Sequence, residues 1–139
     1  MYQFINQLLK KYGSLHHKIN FIQNIRSNDD YVYKHSLNTA ILCALISSRL
    51  GLEFKTQLDL TAAALLHDIG GLQIPNNIRR KKTIDLTMED EKKITMCYQN
   101  SYDAFKANLD LSPDIKRILS AGLMLLHPDI PSATENVPK

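Results

Sequence analysis

The stretch Leu65-Leu66-His67-Asp68-Ile69-Gly70 is the most informative part of this chain of 139 residues. It follows an apolar run at the end of a helix that we predict over residues 55–68. An imidazole and a carboxylate on neighbouring residues can bind one divalent cation, and the negative end of the helix dipole favours a cation there. In a simpler interpretation the helix has a polar end, and Asp68 accepts a hydrogen bond from a backbone amide. The dipeptide alone leaves both interpretations open.

A second histidine, His35, lies near the start of the preceding predicted helix, at residues 31–50. A lone histidine at a helix start is commonly a polar group with an ordinary hydrogen-bond partner. However, two antiparallel helices joined by a short loop place the start of one beside the end of the next, so His35 is expected to reach His67 and Asp68. Two imidazoles and one carboxylate form a half-site for a transition metal or Mg²⁺.

The rest of the chain predicts helices, because glycine and proline are sparse, with five of each. Leu42, Ile46 and Leu50 give the helix at 31–50 a second apolar face, which predicts a central and largely buried helix. Gly70-Gly71 is expected to end the helix at 55–68. Further helices are predicted at residues 2–25 with a break near Gly13, at 87–108 after Thr87 as N-cap, and from Ser112 onward. The fold class is therefore all-α, with five or six helices.

Composition argues against several classes of protein. Hydrophobic residues make up 44% and charged residues 22%, which are globular values, and the net charge of +3 is too small to favour nucleic acid. The basic run Arg79-Arg80-Lys81-Lys82 could meet phosphate, although a solvated surface turn is the favoured interpretation. No apolar run approaches a membrane span, and the N-terminus lacks the order of a secretory signal. Two cysteines, Cys43 and Cys97, fit a reducing cytoplasm, which is the predicted location.

The motif Tyr31-x-Tyr33-x-His35-Ser36, followed after about thirty residues by Ala63-Ala64-Leu65-Leu66-His67-Asp68-Ile69-Gly70-Gly71-Leu72-Gln73-Ile74-Pro75, resembles the HD-GYP family. This family is a branch of the HD-domain metal-dependent phosphohydrolases, and the resemblance spans roughly residues 30–126. It implies an HD-domain-like helical bundle in a bacterial cytoplasm. The best-known members hydrolyse cyclic di-GMP with two or three metal ions, commonly iron or manganese. The resemblance implies that His35, His67 and Asp68 are metal ligands and that Asp68 is catalytic.

Several positions depart from the family pattern. Gly71 stands where the family has a lysine that contacts phosphate, and Cys97 stands at the position of a histidine ligand. Residues 121–123 replace a His-His-Glu motif, Tyr31 stands where an acidic ligand is frequent, and the chain ends at Lys139, before further family helices. The resemblance therefore implies a degenerate and shortened domain. It implies at most one divalent ion, which would be iron, manganese or magnesium, and leaves open that none binds.

The expected organisation is an N-terminal helical segment at residues 1–27 packed on an HD-GYP-like domain at 28–127, with a loose tail at 128–139. The leading prediction is a weakly active or inactive signalling or binding module with a remnant metal site. The alternative is an active HD-type phosphohydrolase that uses one metal at His35, His67 and Asp68.

The predicted partners are a cyclic dinucleotide or another phosphoester, together with a second copy of the chain or a signalling protein. Self-association is expected because the apolar side of the last helix would lack the helices that cover it in the family. Neither a membrane nor nucleic acid is an expected partner. The residues of this predicted apolar patch are Ile115, Ile118, Leu119, Leu123 and Leu126.

Overall fold

The structure is a computed structural model that describes residues 2–12, 28–108 and 110–126. Over these residues it is entirely helical and contains no strand, which confirms the predicted all-α class. Two short 3₁₀ turns, Ile69–Gln73 and Thr83–Asp85, separate longer elements. The α-helices are α1 (Tyr2–Tyr12), α2 (Asn28–Arg49), α3 (Phe54–Leu66), α4 (Asn76–Arg79), α5 (Met88–Ala107) and α6 (Pro113–Leu126).

The pair α2 and α3 forms the most extensive helix contact of the described chain. A short loop joins the two helices, and Gly51 within it adopts a φ of 65°, a left-handed conformation that glycine tolerates without strain. α2 begins at Asn28, three residues earlier than predicted, and α3 ends at Leu66, two residues before the predicted end. The short loop brings the start of α2 beside the end of α3.

The predicted second buried face of α2 is wrong. Leu42, Ile46 and Leu50 are 42%, 57% and 69% exposed. Small residues, among them Ala40 and Ala44, lie on the opposite side of the helix and are fully buried against α3. Ile41, 3% exposed, is buried with Ala40, so the packed face of α2 combines small residues with a large one.

The predicted apolar patch on α6 is also largely wrong. Ile115 and Leu119 are buried in the main core, and Ile118 and Leu123 pack against that core while partly exposed. The cover comes from within the chain, because Ile5 of α1 and residues of α3 and α5 belong to the same cluster. The side chain of Leu126 lies outside the description. Self-association stays a prediction, now without this support.

The remaining boundaries follow local signals. α5 starts after Thr87, whose hydroxyl accepts from the Asp90 amide while the Asp90 carboxylate accepts from the Thr87 amide, a complete capping box. α1 packs on α2 and α3. The helix predicted beyond Gly13 and the predicted tail at 128–139 lie outside the described residues, and the domain boundaries stay predictions. None of the described helices is long and apolar enough to cross a membrane.

Candidate functional site

His35 and His67 lie side by side where α2 begins and α3 ends. Their ring centroids are 5.2 Å apart with the ring planes tilted by 58°. Tyr31, one turn before His35, stacks on the His35 ring, with the centroids 5.5 Å apart and the planes nearly parallel. The antiparallel arrangement predicted for the two helices therefore brings the two imidazoles together.

The orientation of His67 leaves one ring nitrogen available for a ligand. Its Nδ1 lies 2.7 Å from the carbonyl oxygen of Ala64 in the last turn of α3. A carbonyl oxygen only accepts, so Nδ1 carries the proton and donates it. In the neutral ring, Nε2 then keeps its lone pair, which is the arrangement that a metal-binding imidazole needs.

Asp68 is bound by a residue that the sequence motif does not include. The hydroxyl of Tyr98, from α5, donates to Oδ1 of Asp68 at 2.5 Å. Burial, and then the hydrogen bond to Asp68, raise the pKa of Tyr98, so this hydroxyl keeps its proton at neutral pH. One oxygen of the Asp68 carboxylate is therefore occupied by a neutral donor. Sequence reasoning missed this role, because Tyr98 fits the apolar stripe of α5 equally well.

The three predicted metal ligands do not form a metal-binding cluster in this structure. Within the part of the chain that the structure describes, no three His, Cys, Asp or Glu side chains are placed to share an ion. His35 and His67 lie side by side, while the Asp68 carboxylate is bonded to Tyr98 and is not grouped with them. Cys97 belongs to no such cluster either, and burial raises the pKa of its thiol. The metal site at His35, His67 and Asp68 stays a prediction.

Two glycines allow α5 to approach this region. A Cβ at Gly70 would lie 2.9 Å from both Cα and Cδ1 of Tyr98, and a Cβ at Gly71 would lie 3.3 Å from the Tyr98 hydroxyl. Both glycines lie in the 3₁₀ turn, and neither has a positive φ. The prediction that Gly70-Gly71 acts as a helix C-cap is therefore wrong. Glycine is needed here because another backbone is close.

A cavity of about 260 Å³ opens beside Asp68, between the start of α2, the 3₁₀ turn, α4 and α5. Its wall combines apolar side chains with charged and aromatic ones. Of the basic run at residues 79–82, two alternate members reach this wall, so the run is more than a solvated surface turn. The polar and aromatic residues of the wall are Tyr31, Asp68, Arg79, Lys81, Thr83 and Tyr98.

Comparison with known proteins identifies the class. A family model described as the HD domain matches residues 32–124, which is more than half of the chain. The chain therefore belongs to the HD-domain family, within the HD-domain phosphohydrolase superfamily. The resemblance inferred from the motifs is confirmed at this level.

Individual relatives are similar over about half of the chain. The chain is 39% identical over 69 residues to the cyclic di-GMP phosphodiesterase PdeB of Borreliella burgdorferi, which is 50% of this chain and 18% of that protein. It is 38% identical over 64 residues to ribonuclease Y of Geobacter metallireducens and of Geobacter sulfurreducens, which is 46% of this chain and 10% of each enzyme. The matched part is thus a small fraction of each relative. No solved structure is significantly similar to the chain.

Proposed function

We propose that this HD domain is of the HD-GYP type and binds a phosphate-bearing ligand beside Asp68 as a signalling or binding module. In this proposal it hydrolyses phosphodiesters weakly or not at all. The observation that carries the proposal is the hydrogen bond from Tyr98 to Asp68. The hydroxyl engages one lone pair of Oδ1 and draws electron density from the carboxylate, which makes Asp68 a weaker metal ligand.

The loss of the family lysine supports the same conclusion. Gly71 offers no charge to a phosphodiester, and a Cβ at that position would lie 3.2 Å from Val32 and 3.3 Å from the Tyr98 hydroxyl. The bond between Tyr98 and Asp68 thus occupies space that a side chain at position 71 would need. Both departures weaken catalysis while they leave a cavity open for binding.

The class of ligand is proposed from chemistry and from the relatives. The names of the relatives refer to cyclic di-GMP and to ribonucleic acid, both of which are ribonucleotide phosphodiesters. The cavity wall carries two cationic side chains against one carboxylate, which suits an anionic ligand. A phosphoester is therefore the proposed ligand, with at most one weakly held iron, manganese or magnesium ion at His35, His67 and Asp68.

An active hydrolase with one metal is the alternative candidate. The adjacent rings of His35 and His67, with Nε2 of His67 available, favour it. The relatives are themselves named as a phosphodiesterase and a ribonuclease. In this alternative, Asp68 would act as a metal ligand and catalytic residue.

The two candidates differ in metal content and turnover. We expect calorimetric titration with Mn²⁺ to show at most one weakly bound ion per chain, and cyclic di-GMP or an RNA oligonucleotide to remain uncleaved above background. A metal-dependent rate that is lost in Asp68→Asn establishes the enzyme instead. Asp103→Asn is the matched control, because Asp103 is an exposed carboxylate on α5 that pairs with Gln99. A rate that falls equally in both variants does not come from Asp68.

A further inference from the structure

We propose that Arg79 and Lys81 supply the phosphate contact of the cavity beside Asp68, and that the cavity takes one nucleotide-sized unit of a phosphate ester. This inference rests on the proposed function in one respect, namely that the ligand carries phosphate. It assigns the contact to two residues outside the HD motif. It also states how much of the ligand the cavity encloses.

The local fold directs alternate members of the basic run to the cavity. Ile78, in the short helix α4, is 2% exposed and anchors this segment against the body of the domain. Arg79 and Lys81 both line the cavity, whereas Arg80 and Lys82 are not part of its wall. The sequence alone cannot separate these four residues, because the anchor that sorts them is a tertiary contact.

The charge of Lys81 is held in place by a buried carboxylate. Its Nζ lies 2.5 Å from Oδ2 of Asp90, and the side chain of Lys81 is 34% exposed against 9% for that of Asp90. An ammonium group has three hydrogens, so one bond to Asp90 leaves others for a ligand. Asp90 therefore positions Lys81 at the wall.

Arg79 adds a planar group with several donors. Its guanidinium donates to Oδ1 of Asn76 at 2.8 Å, a contact that steadies the side chain along α4. A guanidinium presents five N–H donors, and arginine commonly binds phosphate through two of them. With Asp68 as the one acidic residue of the described wall, the ionised side chains that line the cavity sum to one positive charge.

The volume of the cavity limits how much of a ligand it encloses. Pockets for drug-sized molecules measure about 300–1,000 Å³, whereas this cavity measures about 260 Å³. It encloses about one phosphate and one ring system. Because the cavity opens to solvent, the rest of a larger ligand such as a cyclic dinucleotide would lie outside it. Tyr31 lines the cavity, is half exposed and already stacks on His35, so it offers an aromatic surface to a base.

The test compares two neighbouring arginines in the full chain. Guanosine 5′-monophosphate is titrated calorimetrically, in the presence of a chelator, into wild type, Arg79→Gln and Arg80→Gln. We expect Arg79→Gln to weaken binding about tenfold, because a charge-assisted hydrogen bond is lost, and Arg80→Gln to change it less than about twofold. Arg79→Lys should restore part of the affinity. Guanosine, which lacks the phosphate, should bind at least about tenfold more weakly than the nucleotide.

Each other outcome has a defined meaning. Equal weakening in Arg79→Gln and Arg80→Gln overturns the inference, as does the absence of nucleotide binding to wild type at millimolar concentration. Tight cyclic di-GMP binding without turnover and without dependence on Arg79 or Lys81 refutes the inference while the proposed function stands. Nucleotide binding that depends on Arg79, found together with metal-dependent turnover of cyclic di-GMP, refutes the proposed function while the inference stands. Thermal melts of every variant show whether it is folded.

Discussion

The two sides of the candidate site differ in what holds them. The histidine side, His35 and His67, forms between the start of α2 and the end of α3. A short loop joins these two helices at their other ends. The carboxylate side, Asp68 with Tyr98, forms only because α5 packs on the 3₁₀ turn. An HD motif can therefore be present in the sequence while a residue thirty positions later occupies its carboxylate.

Substituting Gly70 breaks the carboxylate side and should have the largest effect. In Gly70→Ala the new Cβ would meet the backbone of α5 at 2.9 Å, and a backbone cannot move aside as a flexible side chain can. We expect a loss of about 3 kcal/mol in the free energy of unfolding, the upper end of what overpacking usually costs. Chemical denaturation of the variant and wild type measures it.

Gly122→Ala is the matched control for this substitution. Gly122 lies within α6, and a Cβ there would meet no atom within 4 Å. Alanine should therefore stabilise the protein by about 0.5–1 kcal/mol through helix propensity. Equal and small effects at both glycines would mean that α5 does not approach Gly70 as closely as described.

Removing the Tyr98 hydroxyl should make the carboxylate side a better metal ligand. Tyr98→Phe keeps the ring and deletes the donor to Asp68. We expect a loss of about 1–2 kcal/mol in unfolding free energy, because a hydrogen bond to a charged group is removed at a half-buried position. We also expect tighter Mn²⁺ binding, because Oδ1 of Asp68 then no longer shares its lone pairs with a hydroxyl.

Tyr102→Phe is the control for that variant, since Tyr102 is a buried tyrosine one turn further along α5. It should leave the Mn²⁺ affinity unchanged in a calorimetric titration. If Tyr98→Phe likewise leaves the affinity unchanged, Tyr98 is not what keeps a metal from Asp68. The proposed function would then lose its main support.

Much of the fold could be predicted from local signals. Thr87 and Asp90 form the expected start of α5, and Pro113 begins α6 as its sequence indicates. The proximity of His35 and His67 followed from helix order alone. These features depend on residues close in sequence or on one short connection.

The sequence-based predictions failed for features that depend on packing between distant segments. Ile46 of α2 faces outward, whereas Ile41 on the same helix is buried with Ala40. Periodicity identifies two apolar faces but does not tell which one a neighbour covers. The contact between Tyr98 and Asp68 required knowledge of how α5 packs, which no local pattern of the chain contains.

The smallest expected effect is on stability and comes from the ion pair between Asp90 and Lys81. This pair lies at the start of α5, on the carboxylate side. The pKa of Asp90 is lowered to about 2, mainly by the hydrogen bond from Lys81 and next by the hydrogen bond from the Thr87 amide. A group whose pKa is lower in the folded state contributes stability above its unfolded pKa, about 3.9 for Asp, and loses it as the pH falls through the folded value. The contribution should therefore be constant above about pH 5, be mostly lost by about pH 2 and vanish near pH 1.

Melting temperatures of wild type and Asp90→Asn should accordingly differ at pH 7 and converge between about pH 4 and pH 2. The difference should be modest and should shrink with added salt, because the side chain of Lys81 is 34% exposed and water screens the pair. Lys81→Met should reproduce most of the loss at pH 7, whereas Lys82→Met, which changes an exposed neighbour, should not. A difference between wild type and Asp90→Asn that persists unchanged to pH 2 would show that the ion pair does not hold the start of α5. Lys81 would then lack the support that places its charge at the cavity wall.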